Sequence, residues 1–228
     1  MFAAAPLLAL LLLGETPSAE ASPAEVWVGH QILRGMRHVP LHSDVLDETE
    51  NYVLAKVRRT GGHIELRQHF CRVESKPIKG VTVALSSSGV AHMSATIMAI
   101  DVAADGGAKI GPWDVAWGRE DMDGDGKPGA TFTVSGTFCS GDLYASSQSH
   151  YTVERAQLDG QGLSGELKAE QKQQILGASG LCLRAMAGDS NESQHGTFAF
   201  RPAPSGTTCQ SLASKPWPVK AQRKADKP

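Results

Sequence analysis

The chain has 228 residues, 41% of them hydrophobic and 20% charged, with a formal charge of −2 and four cysteines. That length suits one large domain or two small ones. The near-neutral balance gives no electrostatic claim on nucleic acid or on an anionic membrane surface, so no nucleic-acid partner is expected.

The first element is an uncharged apolar run, Ala3–Leu13. Gly14 and Pro17 break it, and Ala19-Glu20-Ala21 places small residues where a signal peptidase reads them. This pattern predicts a signal peptide over residues 1–21, cut before Ser22, and a secreted or periplasmic chain. The run is shorter than the about 20 apolar residues that cross a hydrocarbon core, and no later stretch approaches that length. No membrane span is expected. Cleavage removes Glu15 and Glu20 and no basic residue, which takes the formal charge from −2 to about 0.

Strand-like segments then follow one another, separated by Gly, Asp and Pro. Val26–Val28 through Leu33 reads as a first strand and Tyr52–Val57 as a second. After Gly61-Gly62, His63–Val73 sets Ile64, Leu66, Gln68 and Phe70 on one face and His63, Glu65, Arg67 and His69 on the other. That is the period-two mark of a half-buried strand. Val90–Ile100 fits helix and strand equally well. Further strands are expected at Ala95–Val102, Trp113–Trp117, Ala130–Phe138 and Leu143–Leu158. Asp159-Gly160 is a hairpin signal. Lys168–Leu176 has helix-forming composition, but the shared parity of Leu163, Leu167, Ala169 and Ile175 favours a strand over Leu163–Leu176. Thr197–Arg201 closes the series.

Many strands and few helices predict an all-β fold, an antiparallel sandwich or an up-and-down barrel with long hairpins. Residues 22–201 form its single domain. Residues 202–228 turn to Pro, Ser, Thr, Lys and Ala, the composition of a solvated, disordered tail.

All four cysteines, Cys71, Cys139, Cys182 and Cys209, lie beyond the cleavage point, and no pair has C-x-x-C spacing. In an exported chain they read as two disulfides with three possible pairings. The expected pairs are Cys182–Cys209, pinning the tail, and Cys71–Cys139, linking strands.

One loop carries recognisable chemistry. In Asp121-Met122-Asp123-Gly124-Asp125-Gly126-Lys127-Pro128-Gly129, carboxylates at alternate positions can converge on one hard cation. Gly126 follows where a sharp turn is needed, and the Lys127 carbonyl adds a neutral oxygen. An all-oxygen set suits calcium, whereas zinc wants Cys or His. Asp121–Gly126 resembles the DxDxDG half of EF-hand-type loops, as in dockerin modules and thrombospondin type 3 repeats. The resemblance implies calcium ligation by Asp121, Asp123 and Asp125. It departs from that pattern at the twelfth position, where Phe132 replaces the bidentate Glu, and in having no flanking helix pair. Remaining oxygens would come from Glu120, Asp114 or Asp142. The chain as a whole resembles exported bacterial proteins.

No catalytic signature stands out. The eight histidines form no H-E-x-x-H motif, there is no G-x-S-x-G elbow, and no phosphate loop or dinucleotide fingerprint occurs. The histidines are expected to be exposed. Trp113 and Trp117 share parity, as core or as the lining of a cavity. The sequence thus predicts an exported, disulfide-stabilised β protein with a structural calcium loop and a binding or surface role. The alternatives are a barrel that carries a small apolar ligand or lipid, and a hydrolase with dispersed catalytic residues.

Overall fold

The computed structural model describes residues 25–37 and 44–223. The predicted signal peptide, His38 and His42 lie outside the described residues. The elements in chain order are β1 (Glu25–Arg37), β2 (Val45–Thr60), β3 (His63–Ser75), β4 (Thr82–Leu85), α1 (Ser87–His92), β5 (Thr96–Val102) and β6 (Ala108–Ile110). They continue with β7 (Trp113–Trp117), β8 (Ala130–Ser135), β9 (Gly141–Asp159), β10 (Gly162–Ala178), α2 (Leu181–Met186), β11 (Ser190–Ala203) and α3 (Cys209–Ala213). The strands form one antiparallel sheet in the order β4-β8-β9-β10-β11-β1-β2-β3-β5-β6, with β7 also on β9. The all-β expectation holds, and the sheet curls into a half-barrel. At one point the β6 end of the sheet meets β9, where Gly107, just before β6, bridges to Gln157.

Alternation decides which side of each strand is buried. On the concave side Trp27, Val53, Ala55, Leu66, Met98, Leu167, Phe198 and Phe200 form the main core, each at most 2% exposed. Burying apolar surface is favourable by about 25 cal/mol per Å², and this layer is the larger of the fold's apolar clusters. Gly29 on β1 faces the Phe200 ring, where any Cβ would collide with it. Trp113 stacks on Tyr151 with centroids 5.0 Å apart, and Trp117 lies 6.0 Å from Phe132, so both tryptophans belong to this layer.

Two ambiguous segments resolve through tertiary contacts. Lys168–Leu176 is strand throughout, because β9 pairs along it on one side and β11 pairs with it as far as Gln173 on the other. Val90–Ile100 divides. Ser86 caps α1 by accepting the Gly89 amide at 2.9 Å, and Val90 and Met93 reach the core. Past the helix, Met98 and Ile100 do so from β5. Both periodicities are present in turn. β8 stops at Ser135, short of Phe138, which is 97% exposed in the turn that follows.

The C-terminal segment differs most from its composition. Through residue 223 it lies as a strap on the convex side of the sheet. Val219 and Ala221, at 3% and 6% exposure, join Val26, Val28, Ile32, Leu54 and Ala199 in a second core. Trp217 Nε1 donates to the Gly29 carbonyl at 2.9 Å, and the Ala221 amide donates to His30 Nδ1 at 3.0 Å. The apolar residues of the convex face need a cover, and these few side chains supply it. His30 is accordingly buried rather than exposed.

The disulfides pair as Cys71–Cys209 and Cys139–Cys182, and no cysteine is free. The expected partners are exchanged. The strap crosses β3, which brings Cys209 over Cys71 with Cα atoms 5.2 Å apart. Cys139, in the turn between β8 and β9, faces Cys182 on α2, with Cα atoms 6.0 Å apart. Two bridges fit an oxidising extracellular or periplasmic environment. No helix among the described residues is long and apolar enough to cross a membrane.

Candidate metal centre

The loop between β7 and β8 closes on itself before any cation is considered. The Met122 amide donates to the Gly129 carbonyl at 2.9 Å, and the Gly129 amide returns a bond of 2.9 Å to the Glu120 carbonyl. Gly126 and Gly129 take φ of +78° and +74°, the left-handed region that glycine enters without strain. A Cβ on Gly129 would also strike the Ala145 carbonyl. The turn thus requires glycine on two counts.

Asp121 organises the curl. Its Oδ1 accepts from the amides of Gly124 at 2.7 Å and Asp125 at 3.2 Å, and its Oδ2 from Gly126 at 2.8 Å. These donors, Gly126 foremost, hold the Asp121 carboxyl below its ordinary pKa. Asp125 accepts from the Lys127 amide at 2.8 Å and from Thr131 Oγ1 at 2.7 Å. As a result Asp121, Asp123 and Asp125 each bring a carboxylate oxygen within 4.8 Å of the others, a group able to hold a metal ion.

Asp123 is the decisive member. It is only 8% exposed, while Asp121 and Asp125 lie open to solvent. Its Oδ2 accepts from Ser86 Oγ at 2.8 Å and from the Thr131 amide at 3.0 Å. Its Oδ1 is buried and has no hydrogen-bond partner. Leaving a buried charged oxygen unmatched is costly, and a cation is the usual remedy. The donors are all oxygen, which suits a hard ion such as calcium better than zinc.

Ser86 and Thr131 are participants that sequence reading missed. Thr131 falls eight residues after Asp123, but nothing local signals Ser86, which is 37 residues away. Of the extra ligands considered, Asp114 is held by His150 Nδ1 at 2.8 Å and Asp142 by Thr133 Oγ1 at 3.1 Å. Neither they nor Glu120 joins the group. The Lys127 ammonium sits 5.9 Å above the Tyr144 ring.

Elsewhere the concave wall also carries amide and hydroxyl side chains. Ser149, Gln171, Gln194, Gln31, Asn51 and Gln68 come from the neighbouring strands β9, β10, β11, β1, β2 and β3. Five of them are buried, Gln171 partly so. Gln68 is 1% exposed, and neither end of its amide has a partner. Beyond this belt Arg37 meets two buried carboxylates, Asp47 at 2.9 Å and Glu192 at 2.8 Å. An open cleft of about 870 Å³ lies between the β5–β6 hairpin and β9–β10, lined by Asp101, Lys109, Arg155 and Glu166 among others. His63 pairs with Asp101 and His150 with Asp114, both exposed. Among the described residues, neither imidazole is hydrogen-bonded to a serine or a cysteine.

Compared with known proteins, the chain matches no family model and no curated relative, so its own residues carry the functional reading.

Proposed function

We propose that this is an exported β protein, stapled by two disulfides, whose Asp121–Gly129 loop binds calcium in a structural role. Asp121, Asp123 and Asp125 would supply carboxylate oxygens and Lys127 its carbonyl, with water completing the shell. The observation that carries this reading is the orphaned Oδ1 of buried Asp123 beside two further carboxylates. The ion would offset their mutual repulsion. It would also steady α1, because Ser86 both donates to Asp123 and caps that helix. Val90 and Met93 on and beside α1 are part of the main core. Calcium would thereby support the part of the core that Val90 and Met93 fill, and the protein would work as a binding or surface module rather than a catalyst.

Binding to the folded state alone raises stability by RT ln(1 + [L]/Kd), about 2.7 kcal/mol at one hundred times Kd. The melting temperature should therefore rise with millimolar calcium relative to chelator, and rise less with magnesium, which demands octahedral geometry. A melt indifferent to calcium up to about 10 mM, above the weak extracellular range, would sink the proposal.

A carrier role draws support from one observation, the unpartnered Gln68 amide on the inner wall. That belt favours a small polar ligand over an apolar one, since the apolar part of the wall is filled by the protein's own side chains. A thermal shift with neutral saccharides that Gln68→Leu removes would establish it.

A further inference from the structure

His69, Cys71 and Cys209 form a second cluster of potential metal ligands, with one donor atom of each within 4.8 Å of the others. His69 and Cys71 stand two residues apart on β3. Cys71 is the extra residue of a bulge, since Phe70 pairs with Val53 and Arg72 with the next residue, Tyr52. The bulge kinks the strand beneath the strap, where α3 delivers Cys209. His69 Nε2 lies 3.5 Å from Cys209 Sγ. All three residues are half-buried, so reagents from solvent can reach them.

We infer that the Cys71–Cys209 disulfide is the oxidised form of a zinc site, which His69 completes when the bridge is reduced. A dithiol reductant would transfer two electrons and two protons to the sulfurs, cleaving the S–S bond and closing into its own disulfide. Zinc then displaces both thiol protons to solvent and binds two thiolates and the neutral imidazole. Two sulfurs, one nitrogen and one position left for water make a tetrahedral set with an open site, an arrangement that zinc accepts. Softness of the ligands selects zinc over calcium or magnesium. This site is separate from the acidic loop, whose donors are all oxygen. Its consequence for the fold is that the strap stays anchored in both redox states, first by a covalent bond and then by a metal.

The bulge matters to the chemistry. In a regular strand, residues two apart point to the same face of the sheet. Here the extra residue re-aims Cys71 while His69 keeps its place, which is a recurrent use of bulges next to sites. The other disulfide, Cys139–Cys182, has no histidine in such a group among the described residues. It serves as the internal control.

The test uses cobalt(II) as a spectroscopic substitute for zinc on the whole exported chain, reduced with a phosphine. The reduced protein should bind one cobalt with a thiolate charge-transfer band and the visible bands of a tetrahedral ion, and zinc should displace it. The oxidised protein should show neither band. Cobalt in the acidic loop would give no thiolate band, so failure of the calcium reading and failure of this one stay distinguishable. His69→Ala should weaken binding at least tenfold. Zinc should also slow alkylation of Cys71 and Cys209 by iodoacetamide while leaving Cys139 and Cys182 reactive. This mapping needs no variant to fold. Absence of the thiolate band in the reduced chain, equal affinity in His69→Ala, or protection of Cys139 and Cys182 instead would overturn the inference.

Discussion

The Asp121–Gly129 loop and the C-terminal strap are both poor in apolar residues, and both read as surface chain. The fold treats them in opposite ways. The loop stays at the surface and spends its polar groups on itself, with three amides on the Asp121 carboxylate. The strap gives up its few apolar side chains, Trp217, Val219 and Ala221, to the convex face of the sheet. What separates them is where their partners lie in the chain. Apart from Ser86, the hydrogen-bond partners of the loop fall within about ten residues, whereas Trp217 and Ala221 bond to Gly29 and His30, 188 and 191 residues away. Composition reports on local partners and is silent about distant ones.

The largest effect should come from cutting the strap loose. Replacing both Cys71 and Cys209 with Ser removes a bridge across 138 residues. In urea unfolding this should cost roughly 3–5 kcal/mol, and more than the Cys139→Ser/Cys182→Ser pair, whose loop is shorter. The calcium response of the loop should survive unchanged. If it disappears as well, the two regions are coupled and the contrast between them fails.

Next in size is Asp123→Ala, which strikes the one member of the loop with distant partners. It removes the acceptor to which the Ser86 hydroxyl and the Thr131 amide now donate. The expected loss is about 1–3 kcal/mol even without calcium. Asp125→Ala at the exposed side should cost less. Equal losses would mean that burial of Asp123 carries no weight.

The same distinction explains how much could be read beforehand. Strand β7 appears at its anticipated ends, Trp113 and Trp117, and the Asp159-Gly160 hairpin forms with Asp159 Oδ1 accepting from the Gln161 amide at 2.7 Å. The alternation in β3 was visible because each residue's side of the sheet is fixed by its immediate neighbours. The convergence of Asp121, Asp123 and Asp125 was equally local. The disulfide pairing was not, since it depends on the strap crossing β3. Nor was the burial of His30, whose side of β1 looks like any other until the strap covers it. Ser86 was invisible for the same reason.

A smaller effect, in the range where histidine titrates, should mark the strap. His30 Nε2 faces Glu50 Oε2 at 3.0 Å, and its Nδ1 must stay unprotonated to accept from Ala221. Burial, followed by the positive charges of Arg223 and Lys220 against the opposing pull of Glu50, keeps the folded imidazole below its ordinary value of 6.5. The unfolded chain therefore takes up this proton first. Stability should be full above about pH 6.5 and fall as the pH drops toward the folded value, where the loss from this group ends. His30→Gln should flatten that part of the profile. An unchanged profile in that range would show that His30 does not titrate there.

The most direct measurement is a calorimetric titration of calcium into the protein, kept oxidised, alongside Asp123→Asn. The wild-type protein should bind one calcium per chain, with Kd on the order of 10⁻⁴–10⁻³ M as in extracellular modules. The Asn variant, which keeps the shape of the side chain but loses its charge, should bind at least tenfold more weakly. No saturable heat in the wild type up to about 10 mM, an order of magnitude above that range, would contradict the account and leave the loop a polar turn.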